Sequence, residues 1–353
     1  MDLKGLRKKV DRIDEKILNL LNERAELTLK IGEIKSKKNR QIYAADREKK
    51  VYENITKKNK GPLNDEGLKS IYREIMSASI ALEKSIKVAY LGPPASFTHL
   101  ASIKKFGSSI EYLSCDNITD VFYDVQKQRA DYGVVPIENS TEGAVTYTLD
   151  MFIQSNLKIC SEILLQISHN LIANCPKNKI KKIYSNPQVF GQCRQWLKKN
   201  LPQSVLIEVS STTRAAQLAQ RVKDAAAIAS EMAAKTYNLR ILTKSIEDNP
   251  NNVTRFLVIG KEETPPTGED KTSIIFSTKD RPGALYEMLM PFKKYNINLT
   301  KIESRPSKTE AWKYYFFLDL EGHRRSEKVK RALSELEKNC LFFKILGSYP
   351  KGE

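Results

Sequence analysis

The chain has 353 residues, 41% of them hydrophobic, which suits two or three domains with real cores. A net charge of +17 raises the question of nucleic acid, but the lysines spread over every segment on expected helix faces and no zinc-finger, basic-zipper or RNA-binding motif accompanies them. A solvated basic surface that steers small anions is therefore expected, with no nucleic-acid partner. No stretch approaches the roughly 20 apolar residues of a membrane span. Cys115, Cys160, Cys175, Cys193 and Cys340 are scattered, and His99, His169 and His323 lie far apart. No disulfide framework or metal-ligand spacing results, so a cytoplasmic protein without metal or cofactor is expected.

Residues 1–86 read as helical. Leu6, Val10, Ile13, Ile17, Leu20, Leu21, Leu27, Ile31 and Ile34 recur at three- and four-residue steps. This long helix is expected to fray at Lys37–Arg40, with a second helix over 46–58. Asn59-Lys60-Gly61-Pro62 breaks the chain, and Asn64 or Asp65 can cap a third helix running to about Lys84. A long apolar stripe with two short partners predicts dimerisation by helix packing. Arg24 and Lys35 lie eleven positions apart, hence within about 20° of one face and about 16 Å apart along the axis. With Thr28 and Ile31 between them, they either bound a groove for a compact dianion or are ordinary solvated cations. Arg7 lies about 100° around the helix, out of reach of that groove but able to enter a partner's.

Residues 87–262 switch to alternating strands and helices, an α/β domain with a largely parallel sheet. Strands are expected at 87–91, 133–137, 182–185, 205–209, 226–229 and 256–259, and Lys158–Ala173 marks where the chain crosses between two lobes. Gly92–His99 and Pro136–Gly143 follow strands, where open α/β sheets bind ligands. They also suit plain turns and caps. Asp248–Phe256 is dense in hydrogen-bonding groups and leads into a buried strand. Arg255 could clamp a carboxylate and Thr254 could donate or accept a proton; a polar turn before a strand is the alternative. Cys193 has no identifiable histidine partner and reads as a packed helix cysteine. A Pro/Gly-rich charged linker (263–271) precedes a βαββαβ pattern over 272–350, the ferredoxin-like order. In it Asp280-Arg281-Pro282-Gly283-Ala284-Leu285-Tyr286 joins a strand to a helix, where the backbone can come close to a ligand.

The first segment, through Leu6-Arg7, Ile13-Asp14, Leu20–Arg24, Gly32, Lys35, Asp46-Arg47-Glu48, Ser79 and Glu83, resembles the all-helical chorismate mutase family. That resemblance implies rearrangement of chorismate to prephenate in a helical dimer. Arg7 (from the partner), Arg24 and Arg47 would hold carboxylates, Lys35 and Glu83 would face the ether oxygen, Glu48 the ring hydroxyl, and Ser79 would add a last contact. The reaction is pericyclic, so catalysis rests on holding a reactive chair and stabilising charge at the breaking bond. Many relatives have glutamine at the Glu83 position, so Glu83 would have to be protonated to donate; relatives also often have aspartate where Ala44 stands.

The middle segment resembles prephenate dehydratase through Gly92–His99, Pro136–Gly143, Ser185–Gln188, Gln192-Cys193, Ser211–Thr213 and Thr254-Arg255-Phe256. This implies a two-lobed fold like a periplasmic binding protein, converting prephenate to phenylpyruvate. Thr254 would serve as the hydroxyl-directed donor and Arg255 as the carboxylate clamp, while Asn139, Ser140, Ser96, Thr98, Thr213 and Phe256 would contact substrate. The family often has glycine where Ala95 stands. The last segment resembles the ACT domain of phenylalanine-regulated dehydratases through Gly283-Ala284-Leu285 and Asn298-Leu299 with Glu303-Ser304-Arg305-Pro306. That implies L-phenylalanine bound as an inhibitor between two such domains, in a homodimer or dimer of dimers. Two rivals remain: a dehydratase whose helical module only dimerises, and a non-catalytic amino-acid sensor.

Overall fold

The computed structural model describes residues 2–37, 43–307 and 314–352. Two compact units emerge: residues through Lys87 with Lys105–Glu111, and the remainder.

The first unit holds α1 (Leu3–Lys37), α2 (Ala45–Lys58) and α3 (Asp65–Glu83). The expected frayed end falls at the last described turn of α1; residues 38–42 lie outside the described ones. Asn64 caps α3, its Oδ1 accepting from the Gly67 N–H at 2.8 Å. Gly32 lets α1 approach α3, because a Cβ there would stand 3.0 Å from Glu83 Cγ. The α1 stripe stays exposed: Leu6, Val10, Ile13, Ile17, Leu20, Leu27, Ile31 and Ile34 are all about half accessible.

Apart from Lys87 and Lys105–Glu111, which belong to the first unit, the second unit begins with β1 (Lys87–Leu91), α4 (Phe97–Phe106), β2 (Glu111–Cys115), α5 (Ile118–Gln126), β3 (Tyr132–Asn139), β4 (Gly143–Ala144), α6 (Thr146–Gln154) and β5 (Lys158–Gln166). The chain then crosses to a second lobe. It comprises β6 (Asn170–Ala173), β7 (Lys182–Ser185), α7 (Pro187–Gln192), α8 (Arg194–Asn200), β8 (Val205–Glu208), α9 (Thr212–Arg221), β9 (Ala225–Ala229), α10 (Glu231–Thr236) and β10 (Arg240–Thr243). It returns as β11 (Val253–Gly260). The first sheet has the order β2-β1-β3-β11-β5 with β4 beside β3, and the second β10-β6-β9-β7-β8. The crossing expected within 158–173 is thus the β5–β6 link, and the two crossing segments bond to each other. The Ile167 N–H donates to the Asn252 carbonyl and the Ile246 N–H to that of His169, both at 2.8 Å.

The expectation of a largely parallel sheet is corrected. Pairs β1–β3, β7–β8 and β7–β9 are parallel, but β11 runs antiparallel to both β3 and β5, and β6 to both β9 and β10. Crossing explains this: β5 leaves for the second lobe and β11 comes back, so their directions oppose. Cys193 is fully buried among Ile183, Val189 and Leu197, and burial pushes its thiol up; it is a packed cysteine.

β12 (Asp270–Ser277), α11 (Ala284–Lys294), β13 (Leu299–Pro306), β14 (Tyr314–Glu321), α12 (Glu327–Asn339) and β15 (Phe342–Pro350) complete the chain in βαββαβ order. Their antiparallel sheet is ordered β13-β14-β12-β15. Ile274, Phe276 and Leu318 pack with Met288 and Leu333 of the two helices, while Ile275, Phe317, Leu346 and Tyr349 join the core of the first lobe. Gly347 is required there, since a Cβ would stand 2.3 Å from the Ile159 carbonyl oxygen. The Lys344 ammonium caps the end of α6, donating to the carbonyls of Phe152 at 2.8 Å and Ser155 at 2.6 Å. The expected linker is itself anchored: Thr264 is buried and its hydroxyl donates to the Cys160 carbonyl at 2.7 Å.

Candidate functional site

In the helical unit a cavity of about 360 Å³ is lined by Arg24, Thr28, Ile31, Lys35, Arg47, Glu48, Ser79 and Glu83, among others. The expected groove residues of α1 therefore meet those of α2 and α3 in one concavity. Lys35 Nζ donates to Glu83 Oε2 at 2.9 Å. Arg24 donates to the Ser79 hydroxyl, which donates onward to the Ile75 carbonyl at 2.7 Å. Glu83 thus accepts from Lys35 through Oε2. Arg7 is exposed and does not line the cavity, as its angular offset requires. Sequence reasoning missed Tyr43, Arg73, Lys105 and Phe106, which complete the lining. Tyr43 OH donates to Glu48 Oε2 at 2.8 Å, and Lys105 Nζ lies 2.7 Å from the same oxygen.

A second polar cluster forms where β11 starts and β3 ends. Thr254 pairs across the strands with Asn139, whose Nδ2 donates to Thr254 Oγ1 at 2.8 Å and to Asn252 Oδ1 at 2.7 Å. Asn252 Nδ2 continues to Gln192 Oε1 at 3.2 Å, and that oxygen also meets His169 Nε2 at 2.8 Å. Gln192 Nε2 donates to Glu142 Oε1 at 3.1 Å. Asn139 Oδ1 in turn accepts from the Thr141 hydroxyl at 2.6 Å and N–H at 2.9 Å, so both ends of this amide are fixed and Thr254 is oriented. Burial pushes the His169 imidazole below its ordinary value, against the Gln192 bond and Glu247. His169 and Gln192 carried no periodic signal; His169 stands on the crossing segment, far from Thr254 in sequence.

The other expected contacts are distributed differently. Ser140 clips the 248–252 loop to β3, donating to the Asn251 carbonyl at 3.1 Å and accepting from the Val253 N–H at 3.0 Å. Ser96 opens α4: its hydroxyl accepts from the His99 N–H at 3.2 Å and donates to the Leu91 carbonyl at 3.1 Å. Thr98 is buried, and Thr213 is buried with an unpartnered hydroxyl. Phe256, expected to touch substrate, is 2% exposed and belongs to the interior. Ala95 adopts φ +67, the left-handed region in which glycine is at ease.

Arg255 requires a correction. It was expected to clamp a substrate carboxylate beside Thr254, but adjacent strand residues point to opposite faces. Its guanidinium donates from Nε to Glu162 at 2.7 Å, from Nη1 to Glu138 at 2.8 Å and Asp319 at 2.6 Å, and from Nη2 to Tyr349 OH at 2.9 Å. Burial works to lower its value, but Tyr349, Asp319, Glu162 and Glu138 outweigh it and hold the cation well above its ordinary value. Arg255 is thus a buried tie between the first lobe and the C-terminal sheet.

Arg305, expected at a ligand site between two such domains, reaches Asp150 of α6 at 3.2 Å within its own chain, while Lys301 of the same strand face bonds Glu138. Burial alternates along β13, with Lys301, Glu303 and Arg305 half-buried and Ile302, Ser304 and Pro306 exposed. Gly283 heads α11 at φ +79, with Ala284 buried and Leu285 half-buried behind it. Asn298 is exposed and Leu299 packs under the helices. Glycine at 283 is set by backbone angle alone, since a Cβ there would meet open space.

Three family models match in order: chorismate mutase type II over 6–84, prephenate dehydratase over 88–264 and the ACT domain over 272–338. The chain is 55% identical to the bifunctional chorismate mutase/prephenate dehydratase of Aquifex aeolicus, covering 99% of this chain and 98% of that protein. It is 43% identical to the Pseudomonas aeruginosa protein of the same name, with 99% and 98% covered. Among solved structures, the prephenate dehydratase from Arthrobacter aurescens in complex with L-Phe matches at 34% identity and a TM-score of 0.70. That match spans 75% of this chain and 90% of the other. Among the described residues no helix is long and apolar enough to cross a membrane.

Proposed function

Since the chain belongs to the bifunctional chorismate mutase/prephenate dehydratase family, we propose that it rearranges chorismate to prephenate and then converts prephenate to phenylpyruvate, under feedback inhibition by L-phenylalanine. Residues 1–86 form the mutase, 87–262 the dehydratase and 272–350 the regulatory module. The carrying observation is the cavity in which Arg24, Lys35, Arg47 and Glu48 converge. A module kept only for dimerisation has no need of a concavity edged by several cations.

In the mutase step Arg24 and Arg47 bind the substrate carboxylates and Lys35 stabilises the ether oxygen as its carbon bond breaks. Nothing is protonated outright; charge at that oxygen is met by donors fixed before the reaction. Arg7 completes the cavity from a second copy whose α1 packs its exposed stripe on this one, which makes the working form a homodimer or a dimer of dimers. In the dehydratase step the ring carboxylate leaves as carbon dioxide, its bonding pair enters the ring, and the ring hydroxyl departs as water. Thr254, oriented by Asn139, directs a proton to that hydroxyl. The five free thiols suit a reducing cytoplasm.

Feeding chorismate alone to the purified protein, with and without L-phenylalanine, tests the whole reading. Phenylpyruvate formation suppressed by phenylalanine is expected. Turnover of added prephenate without turnover of chorismate would reduce residues 1–86 to a dimerisation device.

A further inference from the structure

Lys105 lies in the last turn of α4, inside the stretch matched by the dehydratase family model, yet Lys105–Glu111 packs with the helical unit and Lys105 lines its cavity. The local backbone is built for this. Gly107 has φ +75, and a Cβ there would stand 2.4 Å from Ser77 Cβ, so both conformation and contact demand glycine. The Ser108 N–H and hydroxyl donate to Glu74 Oε2 at 2.9 and 2.6 Å, and the Ser109 N–H to Ser77 Oγ at 3.1 Å. Burial pushes the Glu74 carboxyl up, but the Ser108 bonds and Arg73 outweigh it and hold it below its ordinary value. With the turn pinned on α3, Lys105 Nζ stands 2.7 Å from Glu48 Oε2, and Phe106 tilts against Tyr43 at 5.0 Å. The Glu48 side chain is 11% exposed.

The substrate is a dianion, and the cavity contains two carboxylates, Glu48 and Glu83. Each has its own lysine: Lys35 at 2.9 Å from Glu83, and Lys105 at 2.7 Å from Glu48. That pairing neutralises both carboxylates, so that the dianion meets the cavity's arginines without opposing negative charge. We propose that Lys105 is a positioning residue of the mutase reaction. It acts through Glu48, holding that carboxylate in place with Tyr43 and cancelling its repulsion of the incoming dianion. The inference rests on the mutase reading of the cavity, so wild-type turnover of chorismate is measured first; its absence would overturn that reading and the inference with it, whereas the variants below bear on the inference alone.

The test uses the full chain with Lys105→Met and Lys105→Arg. Lys105→Met should raise KM for chorismate about 10- to 100-fold, the scale of one lost charge-assisted bond, with a smaller change in kcat. Lys105→Arg should recover most of the loss, and turnover of added prephenate should not change. In a Glu48→Gln background, Lys105→Met should cost little more, because no carboxylate remains to neutralise. An unchanged KM in Lys105→Met overturns the proposal. So does an equal loss in both backgrounds, which would mean that Lys105 acts independently of Glu48.

Discussion

Replacing Arg255 with methionine separates a structural tie from a substrate clamp. The guanidinium bonds Glu138, Glu162, Asp319 and Tyr349, while the side chain itself is 7% exposed. After substitution Glu162 keeps Lys271 at 2.9 Å and Glu138 keeps Lys301, but Asp319, 9% exposed, is left with the Ser273 hydroxyl at 2.5 Å. Removing one partner of a buried ion network costs about 3–5 kcal/mol. For a unit of this size that lowers the melting temperature by roughly 6–20 °C. Arg255→Lys keeps the charge but loses the fork that reaches four groups at once, so about half of that fall is expected. Differential scanning calorimetry reads the melting, and prephenate turnover well below it reads the site. The KM for prephenate should change less than about threefold, since the cation faces away from Thr254. A clamp would behave in the opposite way. Arg255→Lys melting like wild type, with KM for prephenate raised about 100-fold or more, would refute the structural reasoning.

Thr254→Ala should reduce phenylpyruvate formation from prephenate by about 100-fold or more, within the usual range for a lost proton-transfer group, and leave chorismate turnover intact. Asn139→Ala should lower kcat in the same assay without lowering the melting temperature by more than a few degrees; equal losses of kcat and folding would make Asn139 structural. Glu83→Gln should retain mutase activity, because an amide can still accept from Lys35 through its oxygen and donate to the ether oxygen through its nitrogen; loss of chorismate turnover with the fold intact would make the carboxylate itself essential. Burial holds His169 below its ordinary value of 6.5, so on acidification the unfolded chain binds this proton first. The stability it contributes is present above pH 6.5 and is lost as pH falls toward the lower folded value. Urea midpoints at pH 8 and 5.5 should therefore differ less in His169→Gln than in wild type, and an identical drop in both would exclude the histidine as a source.

The helical module was legible because its signals are local. Three- and four-residue recurrence, the Asn59–Pro62 break and the Asn64 cap each act within a turn or two, and the helices fall within a residue or two of their expected bounds. The βαββαβ order of the last module was legible for the same reason. Strand direction was not, because β11 takes its place between β3 and β5 only after an excursion through the second lobe. β2, β4 and β10 were missed as well, being only five, two and four residues long, and β5 and β6 were read only as one crossing stretch. The cavity was half legible: Arg24, Lys35 and Glu83 follow from helix spacing and resemblance, whereas Lys105 meets Glu48 from another part of the chain with no periodicity connecting them.

The Arg255 error has a different origin, since the information needed to avoid it was present. Residues adjacent on a strand face opposite ways, so Thr254 and Arg255 could not both address one substrate unless the strand bulged between them. The irregularity lies one step later, between Arg255 and Phe256, too late to bring them to one side. What the sequence withheld was which surface each residue takes. On the paired strand Asn139 meets Thr254, and Glu138, one position earlier, meets Arg255. The same period-two argument separates Arg305 from Ser304 on β13, where the arginine turns to Asp150. A motif of consecutive strand residues thus reports two surfaces at once, and its charged member belongs to whichever surface supplies counter-charges. Here those are Glu138, Glu162 and Asp319, which come from three strands and meet only when the C-terminal sheet packs on the first lobe.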